Sequence, residues 1–93
     1  MFNDKKAYTL LVVNTDKEAR QLFNLINKEE SFVMSLDRQD CPINEKYNKI
    51  IFLASRKRTG EEIELLTYLE NKKCIFKKDI QIIHLEDIFN LSK

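Results

Sequence analysis

The chain has 93 residues, enough for one hydrophobic core, and is read as a single domain over 1–93. Hydrophobic residues make up 43% and charged residues 33%, a balance that excludes a disordered chain. Lys plus Arg number 16 and Asp plus Glu 15, so the net charge of +1 excludes recognition of nucleic acid or membrane by bulk charge alone.

No apolar run approaches the ~20 residues of a membrane span, and the opening Met1-Phe2-Asn3-Asp4-Lys5-Lys6 is too polar for a cleavable signal. No membrane association is expected. Cys41 and Cys74 belong to no C-x-x-C pair, and His84 is the one histidine, too few ligands for a zinc site. Two reduced thiols in a cytoplasmic protein are expected. A single Gly and a single Pro leave no glycine-rich phosphate loop, and no cofactor is expected. The wealth of Asn, Lys and Ile suggests an AT-rich genome, of a bacterium, a mobile element or a virus.

A nearly continuous apolar run over 8–14 predicts a first strand buried on both faces. Thr15-Asp16-Lys17-Glu18 then forms a capping box, and Ala19, Leu22, Phe23 and Ile26 make one apolar stripe on a helix reaching about Glu29. Alternation over 31–36 predicts a second, edge strand. Residues 37–48 are polar, contain Pro42 and read as a loop. The third strand, 49–55, is the most apolar stretch and again reads as buried on both faces.

Arg56-Lys57-Arg58 follows it, then a second capping box in Thr59-Gly60-Glu61-Glu62. The second helix runs to about Asn71, with Ile63, Leu66 and Leu69 on its apolar face and Leu65 and Tyr68 beside them. Cys74-Ile75-Phe76 reads as a short return, 80–84 as the fourth strand and 86–91 as a short last helix.

The resulting order is β-α-β-β-α-β-α. A four-stranded, mainly parallel sheet of order 2-1-3-4, flanked by helices, explains why the first and third strands are continuously apolar. The long 37–48 connection supports it, because a hairpin usually has two to five residues. A ferredoxin-like α+β sandwich is the alternative.

This order, within about 90 residues, resembles a BRCT domain. The apolar strand Ile50 to Ala54 leading into Arg58-Thr59, a short return, the Ile82-Ile83 strand and a terminal helix are similar to the second half of that family. The resemblance implies a protein-interaction domain. Phosphate-binding members use a Ser or Thr after the first strand and a Lys at the start of the second helix. Thr15 matches the first, whereas Glu61 or Glu62 stands at the second. Glu29-Glu30-Ser31 replaces the usual glycine pair, and Phe89 stands in for the Trp of the last helix.

With sheet order 2-1-3-4 a crevice opens at the carboxyl ends of strands one and three, the usual ligand position in open α/β sheets. Asn14 and Thr15 lie on one side; Ser55, Arg56, Lys57, Arg58 and Thr59 lie on the other. Two helix N-termini and three adjacent cations there suit an anionic or phosphorylated group of a partner. The other reading is that Thr15 and Thr59 cap helices while Arg56 to Arg58 pair with Glu61, Glu62 and Glu64. Lys72-Lys73 and Lys77-Lys78 form a second basic stretch.

No catalytic constellation is visible, so a small non-catalytic protein-interaction module is expected, with a protein as partner. A nucleic-acid-associated protein, or a small phage or mobile-element inhibitor of a host enzyme, is the alternative.

Overall fold

The computed structural model describes residues 7–38, 42–54 and 56–85, and for Arg56 the backbone alone. Strand β1 (Ala7–Val13) leads into helix α1 (Asp16–Phe23) and strand β2 (Ser31–Ser35). Strand β3 (Lys46–Phe52), a 3-10 turn (Arg56–Arg58), helix α2 (Thr59–Asn71) and strand β4 (Gln81–His84) follow. The expected last helix, 86–91, lies outside the described residues, as does Cys41.

The four strands form one sheet of order β2-β1-β3-β4. All three pairings are parallel, which excludes the ferredoxin-like alternative. The β1–α1–β2 crossover steps toward one edge of the sheet and β3–α2–β4 toward the other. Right-handed crossovers in opposite directions place the two helices on opposite faces.

Register then sorts the side chains. Leu10 pairs with Phe32 and Ile50, and Ile50 with Ile82; Val12 pairs with Met34 and Phe52, and Phe52 with His84. These residues share the face under α2, and the main core lies there. Leu10, Val12, Ile50, Phe52 and Met34 are buried together with Leu65, Leu69, Cys74 and Ile75. Each such side chain contributes about 1.5–3 kcal/mol on leaving water. On the opposite face Leu11, Val33, Ile51 and Ile83 are only half-buried, and α1 has no buried residue. The expectation of equal burial on both faces therefore gives way to one dense face and one thinner one.

Helix α1 starts as the capping box requires. The Glu18 amide donates to Thr15 Oγ1 at 3.2 Å, and the Thr15 amide donates to Glu18 Oε1 at 3.0 Å. The helix ends at Phe23, six residues before Glu29, because asparagine chemistry competes with it. Asn27 Oδ1 accepts the Glu29 amide, and the Asn27 carbonyl accepts those of Glu30 and Ser31. Strand β3 begins at Lys46, earlier than its apolar run. The Tyr47 amide donates to the Cys74 carbonyl and its hydroxyl to the Pro42 carbonyl, which fastens this otherwise polar start to the core.

Helix α2 ends in a Schellman motif. The Cys74 amide donates to the Leu69 carbonyl at 2.9 Å and the Lys73 amide to the Glu70 carbonyl at 3.0 Å. Lys73 sits at φ 63, the left-handed position that glycine fills at lowest cost. Lys73→Gly is therefore expected to stabilise the fold by about 1 kcal/mol, seen as a rise of roughly 4–8 °C in Tm by circular dichroism. An unchanged or lower Tm would refute the strain.

Candidate functional site

The topology sets the carboxyl ends of β1 and β3 side by side, where the sequence places the crevice. The Leu53 amide donates to the Val12 carbonyl and joins its two sides, while the Leu36 amide donates to the Val13 carbonyl and extends the pairing of β2 with β1. Asn14 and Thr15 stand on one side of it, and the 3-10 turn and the start of α2 on the other. Ser55 and the side chain of Arg56 lie outside the described residues. Lys57 is exposed.

Arg58 spans the crevice. Its Nη1 donates to the Asn14 carbonyl at 2.7 Å, and its Nη2 to Asp37 Oδ1 at 2.8 Å. Nε and Nη2 donate to the two Glu61 oxygens, each at 2.7 Å, in the fork geometry that a guanidinium offers a carboxylate. One side chain thus ties together the loops after β1 and β2 and the first turn of α2. The hydrogen bonds to Glu61, then those to Asp37, hold the Arg58 guanidinium protonated beyond its ordinary range. The same bonds hold the Glu61 carboxyl below its ordinary value.

The expected site residues therefore come together in part. Asn14 and Arg58 meet directly. Thr15 is the N-cap of α1, with its hydroxyl held by Glu18. Thr59 is the first helical residue of α2 rather than its cap; Arg58 occupies the cap position without a side-chain cap bond. The second capping box does not form, because Glu62, the residue that would close it, turns into the core. Any anion entering the crevice competes with two carboxylates for the Arg58 donors.

Glu62 is the functional-type residue that sequence reasoning misplaced. It is only 2% exposed, and its Oε1 lies 3.0 Å from His84 Nε2. The His84 ring stacks on Phe52 with centroids 4.9 Å apart. Among the described residues Glu62 Oε2 has no hydrogen-bond partner. The buried face of α2 runs through Glu62, Leu65 and Leu69, rotated from the predicted stripe, so Ile63 and Tyr68 face solvent. The only advance signal was spacing: position 62 precedes Leu65 and Leu69 by three and seven residues.

The remaining thiol is unsuited to nucleophilic work. Cys74 is buried, its Sγ donates to the Ile43 carbonyl at 3.1 Å, and desolvation pushes its pKa up. Among the described residues no three His, Cys, Asp or Glu side chains cluster to hold a metal ion, and no helix is long and apolar enough to cross a membrane.

A second kind of surface lies on the α2 side. Ile63, Leu66, Ile75, Ile80 and Ile82 line a groove of about 250 Å³ between α2 and β4. Ile63 is 58% exposed and Ile82 40%. No family model, curated protein or solved structure matches this chain.

Two predictions follow from the ionic contacts. The Glu61 carboxyl binds its proton less readily folded than unfolded, so its stabilisation is complete above the ordinary glutamate value of 4.5 and is lost as pH falls through the lowered one. Glu61→Gln should thus lower Tm at neutral pH, and the gap to wild type should close on acidification below that value; a gap constant with pH would refute the pairing. His84→Ala leaves the buried Glu62 side chain without its hydrogen-bond partner and should cost about 1–3 kcal/mol in urea unfolding. Replacing both partners, Glu62→Leu with His84→Phe, should recover most of that loss.

Proposed function

We propose that this chain is a small, non-catalytic protein-interaction module of BRCT-like build. The observation that carries the reading is the apolar groove between α2 and the edge strand β4. Soluble domains seldom leave neighbouring aliphatic side chains in water without a partner surface to cover them. Ile63 and Ile82 are such a pair, and among the described residues β4 has no strand on its outer side.

Three further features support it. The strand and helix order that carries the BRCT resemblance is present from β1 to β4. In the described His–carboxylate pair the Glu62 side chain is buried and its Oε1 faces His84, with the imidazole half-buried above it. Arg58 is committed to Asn14, Asp37 and Glu61, which makes the crevice a clasp holding the groove's helix in place.

The test places a photo-crosslinking amino acid at position 63 or 82, and at the exposed position 17 on α1 as control. A partner protein should be captured from 63 and 82 and not from 17. Once isolated, it should bind the unlabelled chain about tenfold more weakly after Ile63→Lys, a loss of about 1.4 kcal/mol expected of an anchor residue. Equal capture from all three positions, or binding indifferent to Ile63→Lys, would reject the groove.

A further inference from the structure

The cations of this chain are unevenly neutralised. At the crevice Arg58 meets two carboxylates. At the opposite end of the sheet, around the return from α2 to β4, five lysines gather: Lys46, Lys72, Lys73, Lys77 and Lys78. Among the described residues only Lys77 has a carboxylate within reach, Glu70 at 3.9 Å. Glu45 and Asp79 share these loops without pairing to any of the five.

Two of the ammonium groups lie instead over aromatic rings. Lys46 Nζ is 4.8 Å from the centroid of Phe76, and Lys72 Nζ is 5.8 Å from that of Tyr68. Phe76 is 47% exposed and Tyr68 42%. The two pairs adjoin, since Lys46, Lys72 and Lys73 line one surface hollow of about 230 Å³. Cys74 beneath them registers the field of both Lys46 and Lys72, which oppose the upward push of burial on its thiol. Phe76, Lys77 and Lys78 line the next hollow, about 390 Å³, together with Glu70 and Asp79.

We propose that this end of the domain binds single-stranded nucleic acid. Clustered lysines repel one another, and a polyanion relieves that repulsion while releasing its own counterions. An acidic peptide satisfies the charge but makes little use of ring faces, and a lipid surface needs a broader apolar wedge than these rings present. Bases of a single strand stack on exposed aromatic rings while adjacent phosphates meet the neighbouring ammonium groups. A duplex keeps its bases from such rings, so the single strand is the form this surface selects. The site adjoins the α2–β4 groove, which Lys77 also lines, and the variants at Ile63 and at Lys72 with Lys78 test the two surfaces apart.

The experiment is fluorescence anisotropy with a labelled oligothymidylate of about twenty nucleotides, in a salt series from about 25 to 200 mM. With up to five phosphates engaged, the slope of log K against log salt should approach about −3.5. Lys72→Glu with Lys78→Glu should weaken binding at least tenfold and flatten the slope by about 1.4 or more. Phe76→Ala should weaken binding about tenfold with the slope unchanged, because stacking releases no counterions. Lys17→Glu, on α1, should change neither.

Absence of binding at the lowest salt would overturn the proposal. So would equal loss in Lys17→Glu, which marks unspecific charge attraction. Polyglutamate binding as tightly as oligothymidylate and indifferent to Phe76→Ala would reassign the surface to an acidic protein. Phosphatidylserine vesicles sedimenting the chain where the oligonucleotide does not bind would reassign it to a membrane.

Discussion

The parallel pairing of β1 with β3 at the centre of the sheet constrains everything else. Parallel neighbours cannot be joined by a hairpin, so each must leave the sheet and return, and right-handed returns from adjacent central strands diverge to opposite faces. That divergence opens the crevice between the two carboxyl ends. It also decides that the face shared by Leu10, Val12, Ile50 and Phe52 lies under α2, where the tight core forms. The same constraint leaves β2 and β4 as the two edges.

Charge is arranged around this frame in two ways. At the carboxyl end of the strands a guanidinium is saturated by carboxylates and a backbone carbonyl from three separate segments, and it acts as a fastener. Glu62 and His84 join α2 to β4 at the border of the core. At the amino end of β3 and β4, five lysines outnumber Glu45, Glu70 and Asp79, and two of them stand over aromatic rings. A net charge near zero therefore conceals one end that is internally balanced and one that is not. The excluded argument from bulk charge remains excluded, and local imbalance takes its place.

Local chemistry made much of the fold legible. The unbroken apolar runs at 8–14 and 49–55 required burial on a parallel sheet, and the sheet order followed from crossover geometry. Thr15 and Glu18 announced the start of α1 because a capping box is completed within four residues. Where local signals competed, reading was less secure. The apolar stripe through Ile26 pointed to a longer α1, but the side chain and carbonyl of Asn27 organise a turn that ends it. Thr59 carried the same cap signature as Thr15, yet of the glutamates that follow it Glu61 pairs with Arg58 and Glu62 with the distant His84.

Those partners mark the boundary between what the chain declares and what folding decides. Composition and periodicity by themselves determined a parallel sheet of order 2-1-3-4, which sets Asn14, Thr15 and Arg58 at the carboxyl ends of its central strands. Only the tertiary structure decided that Arg58 would be spent on Asn14 and Asp37, 44 and 21 positions away. Only it brought Glu62 to His84, 22 positions away, and so turned Ile63 outward. Backbone propensity and hydrophobic period act within a turn or two of the residue that carries them. Ion pairs across a crevice form only when separate segments have been packed together, and no local pattern encodes that meeting.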